Sequence, residues 1–247
     1  MEVEAIYAVA LRELTRYLRA KERIISTLVM PILWLLIFGS GMRSSVNMSG
    51  LDYFTFIAPG IIAMSLMQTS IFSGVSIIWD KELGFMKEML VAPVSRTSIV
   101  LGKAIGTAIT SLLQGLMVLI ISIILGLEIS LGIFLLIIPL MILISVGLVG
   151  IGLSIGSILD NIEGFGLVMN FLVMPMFFLS GALFSIEQLP SRMRFLTYFD
   201  PLTYAVESLR YTLTGVSTIS FTTSLPVIVG FSILTMSIST FLFSRRS

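Results

Sequence analysis

The sequence lacks two of the side chains that most often carry catalytic or metal-binding chemistry, because none of its 247 residues is cysteine or histidine. Disulfides, thiolate chemistry, zinc sites and imidazole acid–base catalysis are therefore excluded. Charge is also scarce. Asp, Glu, Lys and Arg make up 12% of the chain, about half the share of a soluble domain. The net charge of +1 offers no general basicity, so no nucleic-acid partner is expected.

Apolar side chains make up 56% of the residues, and the mean hydropathy is +1.05. A charge at the bilayer centre costs about 2.5–3.5 kcal/mol, so charge-free stretches of about 18 or more residues are the candidate spans. Six stretches qualify: 24–42, 53–79, 104–127, 129–159, 164–186 and 211–244. They do not alternate as barrel strands would. The first is also too long for a signal peptide. The pattern predicts an all-α membrane protein with six transmembrane helices, the last starting near Leu225.

The distribution of cations predicts the orientation of these helices. With both termini inside, the inner segments hold 11 Lys and Arg residues and the outer segments hold 4. Positive charge favours the cytoplasmic side. We therefore expect cytoplasmic termini and a large outer loop at residues 187–224.

Residues 1–23 predict an amphipathic helix on the inner membrane surface. Its apolar stripe consists of Val3, Ile6, Tyr7, Ala10, Leu11, Leu14 and Leu18, and Arg12, Glu13, Arg16 and Arg19 fall away from it. The helix either anchors the chain on anionic lipid or also touches a cytoplasmic partner.

The inner loop at residues 80–97 is too amphipathic for a passive turn. A short helix from Glu82 to Leu90 would place Phe85, Met86, Met89 and Leu90 on one side, until Pro93 breaks it and Ser95 caps the next helix. This apolar ridge fits either a groove on another protein or the lipid surface.

The outer segment between the fifth and sixth spans combines helix breaks with apolar side chains. Ser180-Gly181 interrupts the fifth span, and a short helix runs from Leu202 to Arg210, with Asp200 as its N-cap and Pro201 at its first position. Because irregular backbone is not tolerated in lipid, the segment either re-enters against protein or lies flat outside. Glu207 and Arg210, at i,i+3 spacing, would neutralise each other at the interface.

Two motifs resemble those of type-2 ABC exporter permeases. The inner one comprises Glu82, Gly84, Leu90, Ala92-Pro93-Val94-Ser95-Arg96 and Gly102-Lys103. The outer one comprises Ser180-Gly181-Ala182, Leu189-Pro190, Pro201-Leu202-Thr203-Tyr204 and Arg210. The motifs occur in the family's order, and the resemblance covers essentially the whole chain as a single transmembrane domain. The start of the inner loop, with Asp80 and Glu82, is less acidic than in many members of the family.

The resemblance implies a permease subunit that moves a drug, a lipid or a lipid-linked glycan outward across the plasma membrane of a prokaryote. No phosphate-binding loop occurs in the sequence, so ATP and Mg²⁺ are expected in a separate cytoplasmic ATPase and no cofactor in this chain. A second permease copy, forming a homodimer, or a homologue would complete the transporter in membrane lipid. The expected ATPase-coupling residues are Glu82, Phe85, Met86 and Leu90. The expected outer lid, folded against the fifth and sixth spans, contains Ser180, Gly181, Pro201, Tyr204 and Arg210.

Other interpretations stay open at this point. A secondary transporter would work without an ATPase, but such carriers usually need charged residues deep in their spans, and the sequence places none there. A membrane-embedded enzyme lacks clustered catalytic groups. The glycine pairs Gly102/Gly106 and Gly152/Gly156 predict close helix packing, either within the chain or at a dimer seam.

Overall fold

A computed structural model describes residues 2–42, 47–48, 50–85 and 94–246 of the chain, and nearly all of them are helical. The helices are α1 (Glu2–Arg19), α2 (Lys21–Leu33), α3 (Tyr53–Ile71), α4 (Val75–Glu82), α5 (Arg96–Ile124), α6 (Leu131–Ile158), α7 (Ile162–Leu179), α8 (Ser191–Thr197), α9 (Pro201–Thr214) and α10 (Phe221–Arg246). A π-helical segment (Trp34–Ser40) extends α2, and 3₁₀ turns lie at Phe72–Gly74 and Ile186–Gln188. Two short antiparallel strands, β1 (Asn47–Met48) and β2 (Leu51–Asp52), precede α3.

The predicted six transmembrane helices are confirmed by length and composition. Helices long and apolar enough to span a membrane cover Lys21–Ser40, Tyr53–Glu82, Arg96–Ile124, Leu131–Ile158, Ile162–Leu179 and Phe221–Arg245. The sixth helix begins at Phe221, four residues before the predicted start at Leu225. After Phe221 its first turn continues with Thr222, Thr223 and Ser224, polar residues that the hydropathy argument excluded from the span but that fit in a helix.

The second span, formed by α3 and α4, is the centre of the bundle. The structure buries 78% of its most apolar window, against 17% for the first span and 22% for the fifth and the sixth. Helices α5, α6 and α9 pack around α3, and α10 packs along α6. The apolar faces of the peripheral helices are thereby left for lipid.

Glycines allow two of these helix contacts to be very close. A Cβ atom at Gly152 would lie 2.2 Å from the carbonyl oxygen of Ile71, and one at Gly156 would lie 2.3 Å from that of Gly74. On α5, a Cβ atom at Gly106 would lie 2.8 Å from the carbonyl oxygen of Ala10 in α1. Both glycine pairs therefore serve packing within the chain, and the dimer-seam interpretation of them is wrong.

The two ends of the bundle can be named by their short helices. Arg12 of α1 contacts Asp80 of α4, whereas Arg210 of α9 contacts Phe56, near the start of α3. Phe56 and Asp80 are 24 positions apart along one nearly continuous helix, or about 36 Å at 1.5 Å per residue. We call these two ends the α1 end and the α9 end.

Candidate functional site

A buried charge cluster ties three helices together at the α1 end. Lys103 of α5 is fully buried, and its Nζ lies 2.5 Å from a carboxylate oxygen of Asp80 and 3.1 Å from one of Glu13. The same amine donates to the Ser76 hydroxyl at 3.1 Å. Because Glu13 belongs to α1 and Asp80 to α4, one ammonium group connects α1, α4 and α5.

Two arginines of α1 complete this cluster. Arg12 donates to the second oxygen of Asp80 at 2.5 Å, and Arg16 donates to the second oxygen of Glu13 at 2.6 Å. The Arg16 guanidinium also lies 5.5 Å from the ring centroid of Trp79. Each carboxylate is therefore shared by two cations, which compensates the cost of burying it.

The sequence interpretation missed this cluster. It placed Asp80 and Lys103 at the ends of an exposed loop, yet both are fully buried within helices. Lys103 lies seven residues from the start of α5, near the end of the helix that faces α1. The single charge of Lys103 among the small and apolar residues early in α5 is the signal that could have indicated a buried partner.

Helix α1 itself forms as the sequence predicts, but its buried face coincides only in part with its apolar stripe. Ala10, Glu13 and Tyr17 are buried, whereas Val3 is 78% and Tyr7 is 68% exposed. The Tyr17 hydroxyl donates to Gln114 of α5 at 2.7 Å. Burial raises the pKa of Tyr17 to about 12, so the phenol stays protonated and keeps this bond.

The coupling residues predicted at the α1 end fall partly on described structure. Glu82 is the last residue of α4, so a separate short helix beginning there is wrong at its first residue. Gly84 turns the chain after α4 with a φ of +78°, a conformation that favours glycine. Phe85 is 43% exposed, with its ring centroid 5.0 Å from the Arg12 guanidinium. Met86 and Leu90 lie outside the described residues.

An open groove of about 840 Å³ separates α1 from the turn that follows α4. Its lining includes the apolar side chains Leu11, Leu83 and Phe85 and the cations Arg12, Arg16 and Arg19. Asp80 also lines the groove, so three cations face it with one carboxylate. The α1 end therefore presents a surface that is both apolar and positively charged.

A second buried charge network lies at the α9 end. Arg210 is 2% exposed and donates to Glu207, to the carbonyl oxygen of Gly181 at 2.7 Å and to that of Phe56 at 3.4 Å. Its guanidinium lies 4.0 Å from the ring centroid of Phe56. The other oxygen of Glu207 accepts from the backbone N–H groups of Thr218 and Ile219, at 2.5 and 3.1 Å. One ion pair thus joins α3, the end of α7, α9 and the turn before α10.

This geometry corrects two expectations for the outer residues. The Glu207–Arg210 pair is buried rather than placed at a membrane interface. Helix α9 packs mainly on α3 and α10, the second and sixth spans, and much less on α7, the fifth. The reason is that Gly181, with a φ of +73°, turns the chain away from α7 and over the end of α3.

The predicted lid residues divide into two groups. Ser180, Gly181 and Arg210 lie together, and the Ser180 hydroxyl accepts from the Ala182 N–H at 3.3 Å. Pro201 begins α9, and the Tyr204 hydroxyl, in the same first turns, donates to the Tyr198 carbonyl at 2.9 Å.

The N-cap of α9 is the predicted Asp200, whose carboxylate accepts from the Leu202 N–H at 2.9 Å. Burial raises the pKa of Asp200 to about 7, although the hydrogen bonds from Leu202 and Thr203 act in the opposite direction. The start of α9 therefore carries a carboxyl group that titrates near neutral pH.

Comparisons with known proteins agree with this architecture. The family model for ABC-2 type transporter matches residues 4–214. The chain is 30% identical to a "Putative transport permease ycf38" of Pyropia yezoensis, over 87% of this chain and 76% of the relative. It is 27% identical to "Inner membrane transport permease YadH" of Escherichia coli (strain K12), over 92% and 90% of the two chains. It is also 25% identical to "Nodulation protein J" of Rhizobium leguminosarum bv. viciae, over 90% and 87%. With six helices in the described ranges that are long and apolar enough to span a membrane, and a family match over most of its length, the chain belongs to the ABC-2 type transporter family and is a transmembrane transport subunit.

Proposed function

We propose that the chain is the permease subunit of an ATP-driven exporter that moves a hydrophobic or amphiphilic substrate outward. Family membership supports a transport role, and the absence of a phosphate-binding loop from the sequence supports hydrolysis in a separate chain. ATP and Mg²⁺ would bind that partner ATPase. The substrate would be a drug, a lipid or a lipid-linked glycan.

The observation that carries this proposal is the groove at the α1 end. Apolar Leu83 and Phe85 stand exposed beside a positively charged face of α1. Large exposed apolar side chains rimmed by charge are typical of protein interaction sites. The ATPase would fill the groove with a surface that carries apolar and acidic side chains, next to Glu82. Met86 and Leu90 stay expected coupling residues from the sequence alone.

The buried cluster behind the groove gives this contact a mechanical consequence. Displacement of Phe85 acts on α4, and Asp80 of α4 is joined to α5 through Lys103 and to α1 through Arg12. A packed and charge-paired joint moves as a unit rather than deforming continuously. The three helices would therefore carry ATPase closure into the bundle, and two permease copies would form the path.

The α9 end would act as the outer lid. Arg210 holds the turn after α7 against α3, and Glu207 holds the turn before α10. The excess of Lys and Arg on the segments at the α1 end supports a cytoplasmic position for that end and for both termini. Protease cleavage of a C-terminal tag from outside intact cells would contradict this orientation.

The groove is tested by the double variant Leu83→Asp/Phe85→Asp. We expect the tagged variant to insert into the membrane but to lose co-purification of a phosphate-loop ATPase that the wild-type chain retains. The matched control is Phe195→Asp/Leu196→Asp, which changes the same residue types at exposed positions of the α9 end. Undiminished co-purification with the groove variant, or equal loss with the control, would contradict the assignment.

The competing function is a secondary transporter. The buried Lys103, Asp80 and Glu13 are ionisable groups of the kind that such carriers use, and they are the observation that favours this alternative. Reconstituting the purified chain alone in liposomes separates the two functions. Transport driven by an ion gradient without ATPase would support the carrier and overturn the exporter.

A further inference from the structure

A cavity beside the α1 end, lined by both apolar and polar side chains, has no part in the function proposed above. It has a volume of about 300 Å³ and lies between α2 and α3. Its lining includes Tyr17, Arg23, Met30, Gln68, Thr69 and Phe72. This size falls at the lower end of the range for small-molecule sites, about 300–1,000 Å³. Among the described residues that line the cavity, Arg23 is the one charged side chain.

Unlike Arg12 and Arg16, Arg23 is not hydrogen-bonded to a carboxylate in the described part of the chain. Arg12 and Arg16 donate to Asp80 and Glu13, whereas the Arg23 guanidinium forms no hydrogen bond or ion pair with any residue in the described ranges. Its side chain is half-buried. Glu13 lines a small adjoining cavity, but its two oxygens are already occupied by Lys103 and Arg16. A partly desolvated guanidinium without a partner favours binding of an external anion.

Two further polar groups of the cavity are also unused. Within the described part of the chain, neither the Gln68 side-chain amide nor the Thr69 hydroxyl has a hydrogen-bond partner. With Arg23 they offer N–H and O–H donors, the complement of a phosphate group, which is rich in acceptors. Tyr17 cannot donate there, because its hydroxyl donates to Gln114.

The rest of the lining and its position indicate an amphiphile rather than a free ion. Met30 and Phe72 form an apolar wall in the same cavity. Arg23 is the third residue of the first span, at the end where the span begins, and the lipid-facing side of α2 exposes Ile25 and Val29. A phosphate at Arg23 would therefore lie at headgroup depth, with acyl chains running along α2.

We propose that this cavity binds the phosphate headgroup of an anionic phospholipid, with Arg23 as its counter-ion and Gln68 and Thr69 as further donors. The lipid is a resident ligand of the α1 end. The site does not depend on the identity of the transported substrate or on an ATPase. Its occupation would hold α2 against α3 next to the joint formed by Lys103.

The test measures lipid binding to the purified full chain in dodecyl maltoside by native mass spectrometry. The probes are dioleoyl phosphatidylglycerol, dioleoyl phosphatidylcholine and, as the free anion, glycerol 3-phosphate. We expect phosphatidylglycerol to bind at least fivefold more tightly than phosphatidylcholine. Arg23→Gln should weaken phosphatidylglycerol binding about tenfold, since a charge-assisted contact is lost.

The matched control is Lys21→Gln, which removes one exposed cation two positions away on α2. We expect it to change binding less than twofold. Thr69→Val is nearly isosteric, so we expect it to fold, and it should weaken binding about threefold. It keeps the test decisive if the Arg23 variant does not fold.

Three results would overturn the proposal. Equal loss with Lys21→Gln would indicate unspecific attraction to surface charge. Equal binding of the two phospholipids would exclude recognition of an anionic headgroup. Displacement of the lipid by glycerol 3-phosphate at millimolar concentration, dependent on Arg23, would assign the cavity to a free phosphate instead.

Discussion

Replacing Arg210 by methionine should destabilise the fold strongly, because the change leaves a buried carboxylate without its cation. Glu207 is fully buried and Arg210 is 2% exposed, so water does not replace the lost partner. Glu207 keeps the backbone donors of Thr218 and Ile219, whereas the Gly181 carbonyl loses its bond from Arg210. Breaking a buried pair by removing one member costs about 3–5 kcal/mol.

This magnitude converts to a measurable change in thermal stability. For a chain of this size, about 1 kcal/mol corresponds to about 2–4 °C in Tm, so Arg210→Met should lower the Tm by about 6–20 °C. The measurement is thermal unfolding of the purified protein in detergent, followed by the loss of the monodisperse peak in size-exclusion chromatography. Arg210→Lys keeps the positive charge, but lysine cannot form the several directed hydrogen bonds of the guanidinium. We therefore expect its Tm to lie between those of Arg210→Met and the wild type.

The double variant Glu207→Gln/Arg210→Met separates the charge from the packing. It removes both charges and keeps a side-chain oxygen for the Thr218 and Ile219 N–H groups. We expect it to be more stable than Arg210→Met alone, because a buried charge without a partner lowers the free energy of unfolding more than removal of both charges does. Equal destabilisation of the single and double variants, or a single-variant loss below about 1 kcal/mol, would refute the reasoning.

Three further predictions follow from the same structure. In the resting transporter, Tyr204→Cys should react slowly with an impermeant thiol reagent added outside cells, and the reaction should be faster during turnover. Phe199→Cys is the control, because Phe199 is 71% exposed and its replacement should react fast in both states. Equally fast labelling of the two variants at rest would contradict the lid. Because the pKa of Asp200 is raised from 3.8 to about 7 in the fold, the protonated carboxyl group contributes to the free energy of unfolding. This contribution is complete below about pH 4 and is lost as the pH rises to about 7. Thermal stability measured between pH 4 and 8 should therefore fall more in the wild type than in Asp200→Asn, which keeps the cap, and parallel curves would contradict this. Gly152→Ala should cost about 1–3 kcal/mol, measured as a lower Tm, because its Cβ would lie 2.2 Å from a carbonyl oxygen, while Gly230→Ala, with open space around it, should be neutral or stabilising.

The sequence was sufficient for the spans and the helix starts. A charge in lipid is expensive wherever it occurs along the chain, so charge-free runs indicate all six membrane helices without knowledge of their neighbours. The caps at Ser95 and Asp200 are equally local, because each side chain bonds a backbone N–H group only a few residues away. The paired motifs likewise indicated the family.

The charge networks could not be read in the same way. The sequence argument treated each charge as the boundary of a span, and it therefore placed Asp80 and Lys103 in a loop and Glu13 on a polar face. Whether a charge faces water or is buried depends on its partners, and Glu13 and Lys103 are 90 positions apart. Their pairing exists only because Gly106 allows α1 to approach α5 closely.

The outer segment shows the same division. Its local features, the break at Gly181, the cap at Asp200 and the i,i+3 pair of Glu207 and Arg210, were determined by residues close in sequence. Only the tertiary structure decided that α9 packs on the second span, because the carbonyl group that receives Arg210 belongs to Phe56, 154 positions away. Hydropathy measures transfer of each residue into lipid, whereas these contacts depend on which helices meet, and a one-dimensional pattern does not contain that information.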